Sequence, residues 1–497
     1  MNRRWLLAGG LVGLLATGAA VAVLTPWQVL PAGAPAVRPD VTAVFTPQQV
    51  ERVGRFRAAI GGWPYAAIAA SAALPWLVVA GASGWRRGRR PGGEPGPPSS
   101  PEASPEASPD GPRDEPPTAP RTAPGAASLD AQRDASLAAD SSPNEGAASL
   151  AADPSPDERA ASRSARRRQI LLVAGAAAAI VAGQWLVALP LGAHSEAVLR
   201  GYGISTQSWA GWLRDRAVGL LVSLTVTVLA MLLLWWLTRR APRRWPWLLA
   251  GIAAAVTVAA STLYPLVVES LYTQVTSLPA GPLRTRIEQL AARDGLGDVR
   301  VVVSNASART TGENAHVSGL GATRRIALDD TLVARARTDP AAVLVVVAHE
   351  LGHVRNQDVA RGTTIAALAV PTGVLLLSWV LTSAGARRVF RPQATAPRQV
   401  VRSVALVLAI TTTAPLLAAP VTNLVSRRIE AAADLHALQR TGDVAAFERI
   451  QHDLATSNLI RLRSAWWQTL LFETHPAPAW RIAMAQAWSR GGGSAGG

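Results

Sequence analysis

The chain has 497 residues, 49% of them hydrophobic, and a mean hydropathy of +0.18, which is too apolar for ordinary soluble domains and points to membrane spans. All 49 basic residues are arginine and cluster beside apolar stretches, so GC-rich coding and membrane topology account for the net charge of +16, which is not a nucleic-acid signal. The absence of cysteine excludes disulfides, thiolate metal ligands and cysteine nucleophiles, and leaves the compartment open.

In chain order, seven apolar segments reach or approach the length of about 20 residues that crosses a bilayer. They lie at 5–24, 63–83, 170–191, 218–237, 245–268, 363–384 and 404–424. Pro371, Pro415 and Pro420 fall in the last two, where neighbouring helices can re-satisfy the freed carbonyls. Tryptophan stands at the end of several segments, as an interfacial anchor does. The first segment has a second reading, a cleaved signal peptide beginning Asn2-Arg3-Arg4 and ending near "ATGAAVA". Continuation of the apolar run to Leu24 favours a span. Residues 91–165, between the second and third segments, are rich in Pro, Ser, Ala and acidic residues with a repeated "SPEA". They bury too little apolar surface to offset chain entropy and read as a disordered linker. Arginines group before the first span, after the second, before the third, between the fourth and fifth, and between the sixth and seventh. By the positive-inside rule those segments, and the linker, are cytoplasmic, which puts residues 269–362 and the C-terminal segment outside.

The domain plan that follows is two N-terminal helices with a loop (1–90), the linker (91–165), helices three to five (166–268), a folded block (269–362), helices six and seven (363–424), a C-terminal part of the same block (425–488) and a flexible tail (489–497). Within the block, "LRTRIEQLAARDGL" has helical periodicity with Gly295 and Gly297 near its end. "VRVVVSN" is a short strand, and "NAHVSGLG" and "RRIALDDTLV" are two more, the last running into a turn. Asp339-Pro340 opens the next helix. The block therefore reads as α/β.

That helix ends in "VVVAHELGHVRNQD". Residues four apart share a helical face, so His349 and His353 can present imidazoles to one ion, with Glu350 beside them as a base. Gly352 allows another backbone to come close. Solvated histidines at a helix end are the bland alternative. A catalytic zinc takes three protein ligands, so one is missing. The seventh span continues into "VSRRIEAAADLHAL", where Glu430 and Asp434 again share a face. Glu430 can complete a His-His-Glu set and Asp434 can support an imidazole ligand; an exposed acidic stripe is the plain alternative.

"AHELGHVRNQD" followed by "SRRIEAAADLHAL" resembles the membrane zinc metallopeptidases of the type I CAAX prenyl endopeptidase family, relatives of the bacterial heat-shock membrane peptidases. "FTPQQVERVGRFR", "GISTQSWAGWLRDR", "SARTTGENAHVSGLGATRRIALDDTL" and "THPAPAWRIA" resemble loops of the prenyl endopeptidase branch, in matching order. The linker departs from that pattern. The resemblance implies a multi-pass α-helical membrane protein with an inserted α/β zinc-metallopeptidase domain of the gluzincin type. It implies one Zn2+ per chain on His349, His353 and Glu430, with Glu350 as general base and Asp434 behind the ligands. Asn314 matches a position where the family pairs with substrate backbone, and His475 a histidine that steadies the oxyanion. His194, His316, His436 and His452 read as packing or solvent-facing residues.

The expected function is a membrane endopeptidase acting on membrane-associated or unfolded polypeptides, with a bilayer and no nucleic acid as partner. Glu350 would take a proton from the attacking water and pass it to the leaving amine. The alternatives are C-terminal processing of prenylated proteins and a non-proteolytic zinc-binding receptor or scaffold.

Overall fold

In a computed structural model the chain is described over residues 3–31, 33–84, 155–296 and 299–493. It divides into two compact units, 1–85 with 165–497 and 86–164. Most of the expected linker lies outside the described residues, as do Gly297 and the last four positions of the expected tail. The linker's final residues differ from expectation: the third-span helix runs Pro156–Gly201, with Asp157 and Glu158 in its first turn, where acidic groups complement the helix dipole.

Among the described residues, seven helices are long and apolar enough to cross a membrane. They comprise Arg3–Leu24, Trp63–Gly84, Pro156–Gly201, Trp209–Arg240, Trp245–Val267, Asp358–Leu381 and Pro397–Thr441, one for each apolar segment of the sequence. Gly10 and Gly13 set the first helix against the sixth. A Cβ at Gly10 would meet Leu376 at 2.6 Å and one at Gly13 would meet Thr372 Oγ1 at 2.2 Å, the close approach that small residues permit between membrane helices. A second core unites the third, fourth and seventh helices around Val173, Ile180, Leu234, Trp235 and Val404.

Between the fifth and sixth span helices the chain builds a four-stranded sheet: β1 (Val275–Ser277), β2 (Arg300–Ser304), β3 (Ala315–Ser318) and β4 (Arg325–Asp329), in the order β1-β2-β4-β3. β2 and β4 are parallel, while β1 and β3 run antiparallel to their neighbours, so β3 is an edge strand. The sequence reading missed β1, whose three residues are too short for any alternation. The end of "RRIALDDTLV", expected as a turn, is instead a short helix, Asp330–Arg335.

The motif helix, Pro340–Arg355, starts where Asp339 accepts a hydrogen bond from the Ala342 amide and Pro340 presets the first turn. Its apolar face is the centre of the soluble core: Val343, Val345, Val347 and Leu351 pack with Ile326, Leu332, Phe447 and Met484. The seventh-span helix crosses it at Gly352, where an added Cβ would stand 3.1 Å from His436 Cβ and 3.2 Å from Ala433 Cα. Asp294 bridges this crossing, with Arg355 Nη1 of the motif helix 3.9 Å from its Oδ1. Its buried carboxylate lies 2.9 Å from His436 Nε2 and 2.5 Å from Arg440 Nε. Replacing Gly352 with Val overpacks the crossing, and about 1–3 kcal/mol of stability is expected to be lost, read as a lowered Tm in detergent with a smaller loss for Gly352→Ala.

Candidate active site

Three elements bring the expected residues together. The motif helix supplies His349, Glu350 and His353, the seventh-span helix supplies Glu430 and Asp434, and the segment before the last helix, Pro478–Arg490, supplies His475. His349, His353 and Glu430 form the His-His-Glu group whose candidate ligand atoms all lie within 4.8 Å of one another. The two Nε2 atoms are 3.1 Å apart, and Glu430 oxygens stand 3.4 Å from His349 Nε2 and 3.7 Å from that of His353. Ligand atoms about 2.0–2.1 Å from a tetrahedral ion stand about 3.4 Å from one another, so these spacings suit one metal.

The second ring nitrogen of each histidine meets a carboxylate. Asp434 Oδ1 lies 2.9 Å from His349 Nδ1, and Asp358 Oδ2 lies 2.9 Å from His353 Nδ1. Such partners fix the ring and direct Nε2 at the ion. Asp434 is fully buried, and Arg481 grips it through both oxygens, with Nε 2.7 Å from Oδ2. Sequence reasoning missed Arg481 and Asp358. Arg481 is 47 positions from its partner, and Asp358 lies beyond the end of the motif helix, past the reach of helical spacing. Gln357 makes the link: its left-handed φ of 55° reverses the chain so that the sixth-span helix opens with Asp358 facing back to His353.

Burial alone would push the His349 imidazole down, but the Asp434 and Glu430 carboxylates outweigh it and raise the pKa to about 10. A pocket that holds a proton this firmly on a buried imidazole also favours a cation in the proton's place.

The group opens on a cavity of about 670 Å³ lined by Asn314, Ala315, His316 and Val317 on one side and by Glu350, Glu430 and His475 on the others. Glu350 is buried. Asn314 directly precedes β3, and its carbonyl accepts from the Asp329 amide. His475 is 61% exposed at its side chain, with Nε2 3.4 Å from Glu430 Oε2. The remaining histidines have other partners. His316 lines the cavity and pairs with Glu269 at 3.5 Å, which raises its pKa, while His452 stacks on Phe45 and His194 packs on Trp63. Asp434→Asn would leave Arg481 without its charge partner and His349 without its support. The expected outcome is a stability loss of about 3–5 kcal/mol and metal affinity weakened about 10–100-fold, measured by thermal unfolding and by chelator competition.

Comparison with known proteins agrees with this architecture. Residues 277–489 match the model of peptidase family M48, and residues 158–274 match that of the CAAX prenyl protease N-terminal region, described as five membrane helices. The uncharacterized metalloprotease YhfN of Bacillus subtilis is 28% identical over 307 residues, covering 61% of this chain and 70% of that protein. CAAX prenyl protease 1 of Saccharomyces cerevisiae is 31% identical over 170 residues, covering 34% of this chain and 37% of that protein. The rice CAAX prenyl protease 1 homolog is 31% identical over 172 residues, 33% of this chain and 39% of that protein. The matched part is thus under two-fifths of either prenyl protease. The crystal structure of S. mikatae Ste24p shares the fold, with a TM-score of 0.52 at 23% identity over 62% of this chain and 74% of that one. Residues 158–274 and 277–489 thus resemble, in that order, a CAAX prenyl protease N-terminal region and a peptidase family M48 domain, and with seven membrane-length helices these matches support a multi-pass membrane metalloprotease.

Proposed function

We propose that the chain is a zinc endopeptidase of gluzincin type that cleaves membrane-associated or unfolded polypeptides outside the cytoplasm. The carrying observation is the His349–His353–Glu430 group, with Asp434 and Asp358 behind its imidazoles, at the base of a cavity bordered by an edge strand. Two imidazoles and a carboxylate are a donor set that suits zinc and leave one position open. When bound, zinc supplies Lewis acidity, which polarises the scissile carbonyl and acidifies water.

The chain's own residues do the rest. Glu350 accepts the proton of the attacking water and returns it to the leaving amine nitrogen. His475, whose Nε2 lies 3.4 Å from Glu430 Oε2, is near enough to the group to donate to the oxygen that becomes charged. Asn314 and the free edge of β3 pair with an extended substrate backbone, a mode tolerant of sequence. The arginine distribution supports the extracytoplasmic placement of this domain, and the seventh-span helix, which carries Glu430, keeps the cleft close to the bilayer.

The prenyl protease relatives favour a second reading, C-terminal processing of prenylated proteins. A prenylated C-terminal peptide assayed beside casein separates the two: cleavage of the first alone selects the second reading. Zinc binding without any cleavage by the wild type selects a receptor or scaffold. In detergent, Glu350→Gln is expected to retain zinc and lose about 10²–10⁴-fold of casein cleavage; equal cleavage by both forms removes Glu350 as the base. Reporter fusions within 269–362 are expected to be active only as extracytoplasmic reporters, and activity of a cytoplasmic reporter there overturns the envelope placement.

A further inference from the structure

Between the seventh-span helix and His475 lies a short helix, Trp466–Leu471, that neither the mechanism nor the core uses. Residues 465–472 read "AWWQTLLF", eight positions without a charge. The Trp466 side chain is among the most exposed apolar groups of the molecule at 77%, with Trp467 and Leu470 at 38% each. Trp466 and Leu470 are four apart and share a face.

The height of this helix relative to a bilayer is fixed by its tethers. Asn423, at the end of the apolar stretch 404–424, donates from Nδ2 to the Leu470 carbonyl at 3.1 Å. Arg427, one turn further along the same helix, donates from Nη1 to the carbonyls of Thr469 at 2.7 Å and Glu473 at 2.6 Å. On the other side Tyr65, near the start of the second-span helix, places its ring 5.4 Å from that of Trp467 and 4.6 Å from that of Phe472. Two spans therefore hold the short helix at the level where both leave the apolar slab. There tryptophan is favoured because its ring is apolar and its N–H seeks water or headgroups.

We propose that Trp466–Leu471 is an interfacial helix whose Trp466–Leu470 face lies in the headgroup–acyl boundary of the bilayer. Beside its tethers Asn423 and Tyr65 stand exposed apolar residues at the ends of the same two spans, Val421 at 55%, Leu424 at 38% and Trp63 at 45%, which is why lipid, rather than a second copy of the chain, is its occupant. His475 follows the helix by four residues, with Thr474 Oγ1 2.9 Å from its Nδ1. One side of the cleft thereby rests on the membrane surface, where an anchored polypeptide would arrive.

The native chain has no cysteine, so single labels report unambiguously. Nitroxide labels at W466C, at L470C and at the exposed control E288C are compared in full-length protein reconstituted into phosphatidylethanolamine–phosphatidylglycerol vesicles. Collision with dissolved oxygen, which concentrates in lipid, is expected to exceed collision with a water-soluble nickel chelate at 466 and 470, with the reverse at 288. Nickel dominance at 466 and 470 overturns the proposal, and so does dipolar broadening there, which would mean that a second copy covers the face. Neither readout depends on catalysis, so failure of the interfacial reading is distinct from failure of the proteolytic one.

Discussion

The close crossing of two helices at Gly352 is the constraint on which the site depends. His349 and His353 lie one turn apart on the motif helix, and Glu430 arrives 77 positions later on the helix of the seventh span. Glu430 reaches the imidazoles because Gly352 has no Cβ and the partner helix presents Ala433 at that point. One helical turn from the crossing toward the membrane is Glu430; past it are His436 and Arg440, which meet on Asp294. A single contact thus sets both the geometry of the His-His-Glu group and the ion-pair clasp beyond it.

Electrostatics reinforce this packing. The pocket gathers Glu430, Asp434, Asp358 and Glu350 around two imidazoles, against Arg481, buried on Asp434, and the more exposed Arg361, 3.9 Å from Asp358. Carboxylates in excess of cations would destabilise a buried site unless a further cation were supplied, and the high pKa of His349 expresses that demand in proton binding. The same excess would favour a divalent ion held by the proposed ligands.

Much of this was readable in the residues. The seven spans followed from run length, and H-E-x-x-H followed from four-residue spacing, because both signals are local. Glu430 and Asp434 were readable for the same reason, as a pair on one helical face. Asp358 and Arg481 were not: their roles arise from a left-handed residue and from a partner 47 positions away, neither of which leaves a periodic trace. β1 was lost because three residues carry no alternation, and Asp330–Arg335 was read as a turn because its two leading aspartates suit a turn as well as a helix start.

Gln357 has a consequence for how the site is held. Because the reversal there makes Asp358 the first residue of the sixth-span helix, the brace on one imidazole is carried by that helix, while the brace on the other, Asp434, is carried by the helix of the seventh span. The two rings are thus oriented by partners on both span helices, one at the start of the sixth and one beyond the apolar stretch of the seventh, where Arg481 grips it.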